Sequence, residues 1–284
     1  MTTLGWIGLG AMGAPMASNL AKAGFQLGVY NRDQQKTAPF KNSGVNIYEQ
    51  IADLVEASDI IFTMLSNDQA VQSVYEQIMQ LPHLQGKIFI DMSTVSSQLS
   101  QKTATQLEAK GAQFLDAPVS GSTKPAEEAT LVIMVGGPVE ALEKARPYLD
   151  KLGKAIKYMG VNGKGSATKI AVNYMLALNY LSLAEGTLFA EDQGIDRQQF
   201  LEIIGEGAMA SGATRLKTPM LIQQDYPPQF ALSLMAKDLH LAASAGVSLP
   251  LSHALITAFD KASQAGYAEK DVIAIADYLK NKNS

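Results

Sequence analysis

Cysteine is absent from the chain. Its absence removes disulfides, thiol nucleophiles and thiolate metal sites together, and fits a reducing cytoplasm. Histidine is nearly as scarce. His83, His240 and His253 lie far apart without metal-ligand spacing, so any redox chemistry is expected to run without a metal. Long hydrophobic runs are lacking too, since none reaches the roughly 18 apolar residues of a membrane-spanning helix. Nor is there an excess of one charge: 23 basic against 27 acidic residues give a net charge of −4. That balance leaves no electrostatic footprint for nucleic acid or an anionic membrane. The opening residues, MTTLGWIGLG, run almost at once into an apolar strand, with no basic segment or cleavage site. A soluble, cytoplasmic protein is the expectation. What is present is 284 residues, 47% of them apolar, enough for one large or two moderate domains.

The first half alternates short apolar runs with helical patterns. LGWIGLG, FQLGVYNR, DIIFTML, KIFIDMS, AQFLDAPVSG, TLVIMVGG and KAIKYMG read as strands separated by amphipathic helices. Such alternation predicts an α/β domain built on a parallel, doubly wound sheet. The clustered glycines of GVNGKG, Gly160 to Gly165, break the pattern and mark a boundary. One long helical stretch follows, from about Ser166 to Gln193, with a middle, IAVNYMLALNYLSLA, that is apolar nearly all round, and it is stopped by Gly194. A surface of that kind implies burial on several sides, and a second subunit would cover it. The chain is therefore expected to divide into residues 1–162, a connecting helix at 163–193 and an all-helical region at 194–284. A homodimer or homotetramer is expected.

GLGAMG places Gly8, Gly10 and Gly13 as G-x-G-x-x-G between a strand and a helix. In that context the first glycine permits the tight turn and the second lets backbone approach a pyrophosphate. The third allows close helix–strand packing, and the helix N-terminus supplies N–H donors. A dinucleotide is the expected cofactor. The second strand ends VYNRD, with Asn31 where NAD-specific sites usually carry an acid and Arg32 next to it. A planar guanidinium suits a ribose 2′-phosphate, which favours NADP(H). A lysine in the apolar segment GKGSATKIAVNY is harder to explain by packing, because lysine is rarely buried without a partner or a task. Lys169 could polarise a carbonyl and deliver a proton to it. Asn173 lies four residues on, on the same helix face.

These segments resemble the β-hydroxyacid dehydrogenase family over essentially the whole chain. IGLGAMGAPMASNLAKAG is similar to its cofactor motif and DAPVSGSTKPAEEATLVIMVGG to its substrate motif. GKGSATKIAVN is similar to its catalytic-lysine motif, and MAKDLHLA to its cofactor-closing motif. Within the family, Ser122, Val172 and the YPPQF segment resemble the glyoxylate/succinic semialdehyde reductases, which use NADPH. Ala129 departs from the pattern, standing where the family commonly has glycine.

The resemblance implies a Rossmann domain, a long interdomain helix and an all-α C-terminal domain. It implies an NADPH-dependent reductase of short aldehyde acids, with Lys169 and Asn173 catalytic. The cofactor would be held by Gly8, Leu9, Gly10, Ala11, Met12, Gly13, Asn31, Arg32, Met64, Leu65, Thr94 and Lys237. Ser120, Gly121, Ser122, Asn173, Phe230 and Asp238 would take the substrate. A 3-hydroxyisobutyrate-type dehydrogenase working oxidatively is one alternative, and a dinucleotide-binding scaffold without turnover is another. His240 reads as a bystander on a polar helix face.

Overall fold

A computed structural model describes residues 2–283 of the chain. Residues up to Lys169 form one compact unit and those from Ile170 a second, so the division falls inside a helix.

The first unit begins with β1 (Leu4–Ile7), α1 (Gly13–Lys22), β2 (Leu27–Tyr30) and the two-residue β3 (Asn46–Ile47). It continues through α2 (Ile51–Glu56), β4 (Ile60–Thr63), α3 (Asp68–Met79), β5 (Ile88–Asp91), α4 (Ser97–Glu108) and β6 (Gln113–Asp116). Then come β7 (Val119–Ser120), α5 (Thr123–Glu127), β8 (Leu131–Gly136), α6 (Val139–Leu149) and β9 (Gly153–Gly160). The nine strands among the described residues make one sheet in the order β3-β2-β1-β4-β5-β6-β8-β7, with β9 also paired to β8. Strand order reverses between β1 and β4, and ligands of doubly wound sheets bind beyond the strand ends at such a switch point.

The period of two along each strand builds two cores. Leu4, Trp6, Ile60, Phe62, Ile88 and Ile90 face one side with Met16 and Leu20 of α1 and Leu142 and Leu149 of α6. Ile7, Ile61 and Phe89 face the other with residues of α2, α3 and α4. Strands buried on both faces read as continuous apolar runs, which is why the sequence shows them so plainly.

The doubly wound parallel sheet expected from the sequence also carries an antiparallel strand at one side. β8 runs antiparallel to β6 and β7, while the pairs from β3 through to β6 and the β8–β9 pair are parallel. β6 and β7 are consecutive pieces of one extended run broken at Ala117 and Pro118, and the ten residues from Gly121 to Thr130 before β8 fall short of the dozen or more a parallel crossover needs. Ala129, just before β8, has φ +54°. Left-handed backbone costs a non-glycine residue about 1–2 kcal/mol, which gives the family's glycine there a physical reason.

The second unit contains most of α7 (Lys164–Asp192), followed by α8 (Arg197–Glu206), α9 (Gly212–Gln223), α10 (Leu232–Ser244), α11 (Ser252–Ala262) and α12 (Ile275–Asn283). Tyr180 and Leu183 of α7 pack with Leu201, Leu221, Met235, Leu239 and Phe259 into a single core. No helix among the described residues is long and apolar enough to cross a membrane.

Candidate active site

The glycine-rich turn is fixed by close packing at its ends and open in its middle. Gly8 has φ +101°, and a Cβ there would stand 2.3 Å from the Met64 carbonyl oxygen. A Cβ on Gly13 would stand 2.0 Å from the Gly8 carbonyl oxygen. Gly10 is exposed and has no atom within 4 Å of its Cβ position. Packing thus demands the outer two glycines, whereas the middle one leaves clear access to the start of α1. An open backbone at a helix N-terminus suits a pyrophosphate, so these residues fit a dinucleotide. Ala11 is exposed, Met12 is half-buried, and the Leu9 side chain lies in the core.

Asn31 braces this turn. Its Oδ1 accepts from the Leu9 amide at 2.8 Å, and its Nδ2 donates to the Asp33 carbonyl at 2.8 Å. Asp33 accepts from the Gln35 amide at 3.0 Å, capping the short helical turn Gln34–Phe40. The nearby acid is therefore occupied with its own backbone, and Arg32 stands exposed beside it.

Beyond β4 and β5 lie the half-buried Met64, Leu65 and Thr94. The Leu65 amide donates to Ser93 Oγ at 2.8 Å, and Ser93 Oγ donates to Asp91 Oδ1 at 2.6 Å. Thr63 Oγ1 donates to the same oxygen at 2.7 Å. Burial raises the Asp91 carboxyl to about 6, and the neighbouring Asp116 pushes in the same direction. A carboxyl raised on folding contributes stability that is fully present below its unfolded value near 3.8 and lost as pH rises through about 6. The full effect is about 3 kcal/mol. Asp91→Asn should therefore gain melting temperature relative to wild type as pH rises from about 4 to 7, in parallel thermal melts. A constant difference across that range would contradict a raised Asp91.

Ser120 and Ser122 are half-buried and flank the exposed Gly121, whose φ is +136°. A Cβ on Gly121 would stand 2.7 Å from Leu131 Cδ2. Ser122 occupies the N-cap position of α5 without a side-chain hydrogen bond.

Lys169 and Asn173 lie one turn apart near the start of α7, 9% and 2% exposed. Asn173 Nδ2 donates to Asp238 Oδ2 of α10 at 2.5 Å. Asp238 Oδ1 is buried without a hydrogen bond from the described residues, although Lys237 Nζ lies 3.0 Å away as an ion-pair contact. Phe230 precedes α10 in a loop and donates its amide to Asp271 Oδ2 at 3.2 Å. His240 points outward and pairs with Asp260 at 2.9 Å.

Residues 3–160 match the model of the NAD-binding domain of 6-phosphogluconate dehydrogenase. Residues 163–279 match that of the NAD-binding domain of NADP-dependent 3-hydroxyisobutyrate dehydrogenase. The chain belongs to the β-hydroxyacid dehydrogenase family. Among its relatives is glyoxylate/succinic semialdehyde reductase 1 of Arabidopsis thaliana, 34% identical over 98% of this chain and 98% of that protein. The mitochondrial 3-hydroxyisobutyrate dehydrogenase of Drosophila melanogaster is 33% identical over 98% of this chain and 90% of that one. A solved structure of 3-hydroxyisobutyrate dehydrogenase from Mycobacterium tuberculosis with L-serine is also similar. Its TM-score is 0.90 at 31% identity, covering 98% of this chain and 99% of that one.

As a β-hydroxyacid dehydrogenase family member, the protein is an NAD(P)-dependent oxidoreductase. Several of its buried polar groups escape sequence reasoning. Asp91 and Asp116 each close an apolar strand, in IFID and QFLD, and an acid ending such a run is the signal that could have found them. Ser93 and Ser166 carry no comparable signal.

Proposed function

We propose that this family member reduces short aldehyde acids with NADPH, converting glyoxylate to glycolate and succinic semialdehyde to 4-hydroxybutyrate. The observation that carries the reading is a lysine only 9% exposed at the start of an otherwise apolar helix. The bound dinucleotide supplies the hydride. The turn from Gly8 to Gly13 holds its pyrophosphate, and Arg32 takes a 2′-phosphate. Met64, Leu65 and Thr94 line its path along the strand ends. Lys169 donates a proton to the carbonyl oxygen as negative charge develops there, and its own charge stabilises that oxygen beforehand. Asn173, held by its bond to Asp238, lies one helical turn beyond Lys169 and is assigned to orient the substrate. Ser120, Gly121 and Ser122 supply hydroxyl and backbone donors for the substrate carboxylate.

Loss of NADPH absorbance with each aldehyde acid, run beside NADH, tests the reading. Turnover should favour NADPH, and Arg32→Ala should lower kcat/KM for NADPH by roughly 10-fold or more with little change for NADH. Equal use of both cofactors by wild type would contradict the role of Arg32. The similarity to 3-hydroxyisobutyrate dehydrogenases favours a second reading, oxidation of a 3-hydroxyacid. Oxidation outrunning every reduction would select it.

We also infer a homodimer or homotetramer. Met175 and Phe189 of α7 are 66% and 67% exposed, apolar area of the kind a second copy covers. Light scattering should return two or four times the chain mass of 30.4 kDa. A single-chain mass at micromolar concentration would remove the inference.

A further inference from the structure

The first turn of α7 is held by a side chain from far upstream. The opening N–H groups of a helix have no partner within it, and a short polar side chain at the N-cap usually takes one of them. Here that end begins at Gly163, which has no side chain to offer. Asp116, at the end of β6 and 1% exposed, serves instead. Its Oδ1 accepts from the Gly163 amide at 2.8 Å and its Oδ2 from the Ser166 amide at 2.9 Å.

Close packing seats the turn where the carboxylate can reach it. A Cβ on Gly165 would stand 2.4 Å from the Asp116 carbonyl oxygen and 2.5 Å from that of Met134. A Cβ on Gly136 would stand 2.7 Å from Asp116 Oδ1. Ser166 Oγ lies 2.9 Å from Ser100 Oγ of α4, tying the same turn on another side. Ser166, Lys169 and Asn173 follow at i, i+3 and i+7, one polar stripe along a single helix face. All three are buried. The atom that fixes Ser166 therefore fixes the helix one turn before Lys169.

We propose that Asp116 is the positioning residue for Lys169, its carboxylate setting the height and rotation of the first turn of α7 and so the line along which the ammonium meets the carbonyl. This rests on Lys169 being the proton donor. A negative charge at a helix N-terminus is also stabilising in itself, so stability alone cannot separate positioning from support. Kinetics can, because a misplacement of about 1 Å can cost on the order of 100-fold in rate. Asp116→Asn keeps the shape but gives one of the two amides an NH₂ group to face.

The test is the single-turnover rate of NADPH oxidation with glyoxylate or succinic semialdehyde, whichever wild type reduces faster. It compares wild type, Asp116→Asn, Lys169→Ala and the double variant, with NADPH affinity read by fluorescence titration. Asp116→Asn should slow the turnover by roughly 10- to 100-fold with NADPH affinity unchanged within about twofold. In the Lys169→Ala background it should cause no further loss, as expected for a residue acting through another. Asp116→Glu, which keeps the charge but moves the carboxylate by one methylene, should show the same pattern and serves if Asp116→Asn fails to fold. Equal losses in both backgrounds, a parallel loss of NADPH affinity, or a wild-type rate in the variants would overturn the proposal. A wild-type rate in Lys169→Ala alone would instead overturn the proton-donor reading, and positioning would fall with it.

Discussion

Replacing Lys169 with alanine should lower kcat by about 1,000-fold or more while cofactor affinity stays within about twofold of wild type. General acid catalysis contributes roughly 100- to 10,000-fold, and a preorganised cation beside a developing oxyanion contributes a similar factor. The ammonium supplies both, so its removal costs more than either alone. The fold should tolerate the change. Alanine is the best helix former, and the Asp116 bonds to the first turn of α7 remain in place. The turn from Gly8 to Gly13 is untouched, since its geometry depends on Met64, Asn31 and its own glycines. Steady-state kinetics with a parallel NADPH titration measure the split between kcat and binding. Loss of NADPH binding in step with kcat would point to a disturbed fold rather than a missing acid.

The largest effect on stability is expected at Lys217. This side chain of α9 is 1% exposed and pairs with the fully buried Asp271 at 2.7 Å and 2.8 Å. Burial pushes the ammonium below its usual pKa, and Asp271 pulls it back up. Asp271 also accepts from the amides of Gln229, Phe230 and Ile273, so one carboxylate holds the loop before α10 and the turn before α12. Lys217→Ala would leave that carboxylate buried without its counter-charge, a change that typically costs about 3–5 kcal/mol. A fall in melting temperature on the order of 10 °C should follow. Lys217→Met, which keeps the apolar stem, should recover only part of it. Adding Asp271→Asn to Lys217→Met should cost less than the two single changes summed, because the second change removes the charge the first one left unpaired. Losses that simply add would assign the effect to packing instead of charge.

Local chemistry was legible in the sequence, and pairing across long separations was not. Leu4, Trp6 and Ile7 show a buried strand because both faces of the sheet are covered. Gly8 and Gly13 show the turn because only hydrogen fits beside the Met64 and Gly8 carbonyls. Lys169 stands out because the helix around it is apolar. The bond from Asp116 to Gly163 spans 47 residues and that from Lys217 to Asp271 spans 54, and neither end carries a mark of its partner. Asn31 was readable as the residue in the acid's usual place. Its bond to the Leu9 amide appears only once β1 and β2 lie side by side. The antiparallel return of β8 was hidden for a similar reason, since nothing within TLVIMVGG marks which strands it pairs with or in which direction.

Chemical rescue of Lys169→Ala by small primary amines is the most direct measurement of the central claim. Methylammonium and ethylammonium in the space the side chain leaves should restore part of the NADPH-dependent reduction, saturably. The restored rate should track the acid form of each amine as pH is varied. Rescue of that form would identify the missing function as proton donation at the Lys169 position. A variant that binds NADPH normally, turns over slowly and gains nothing from any amine would contradict it.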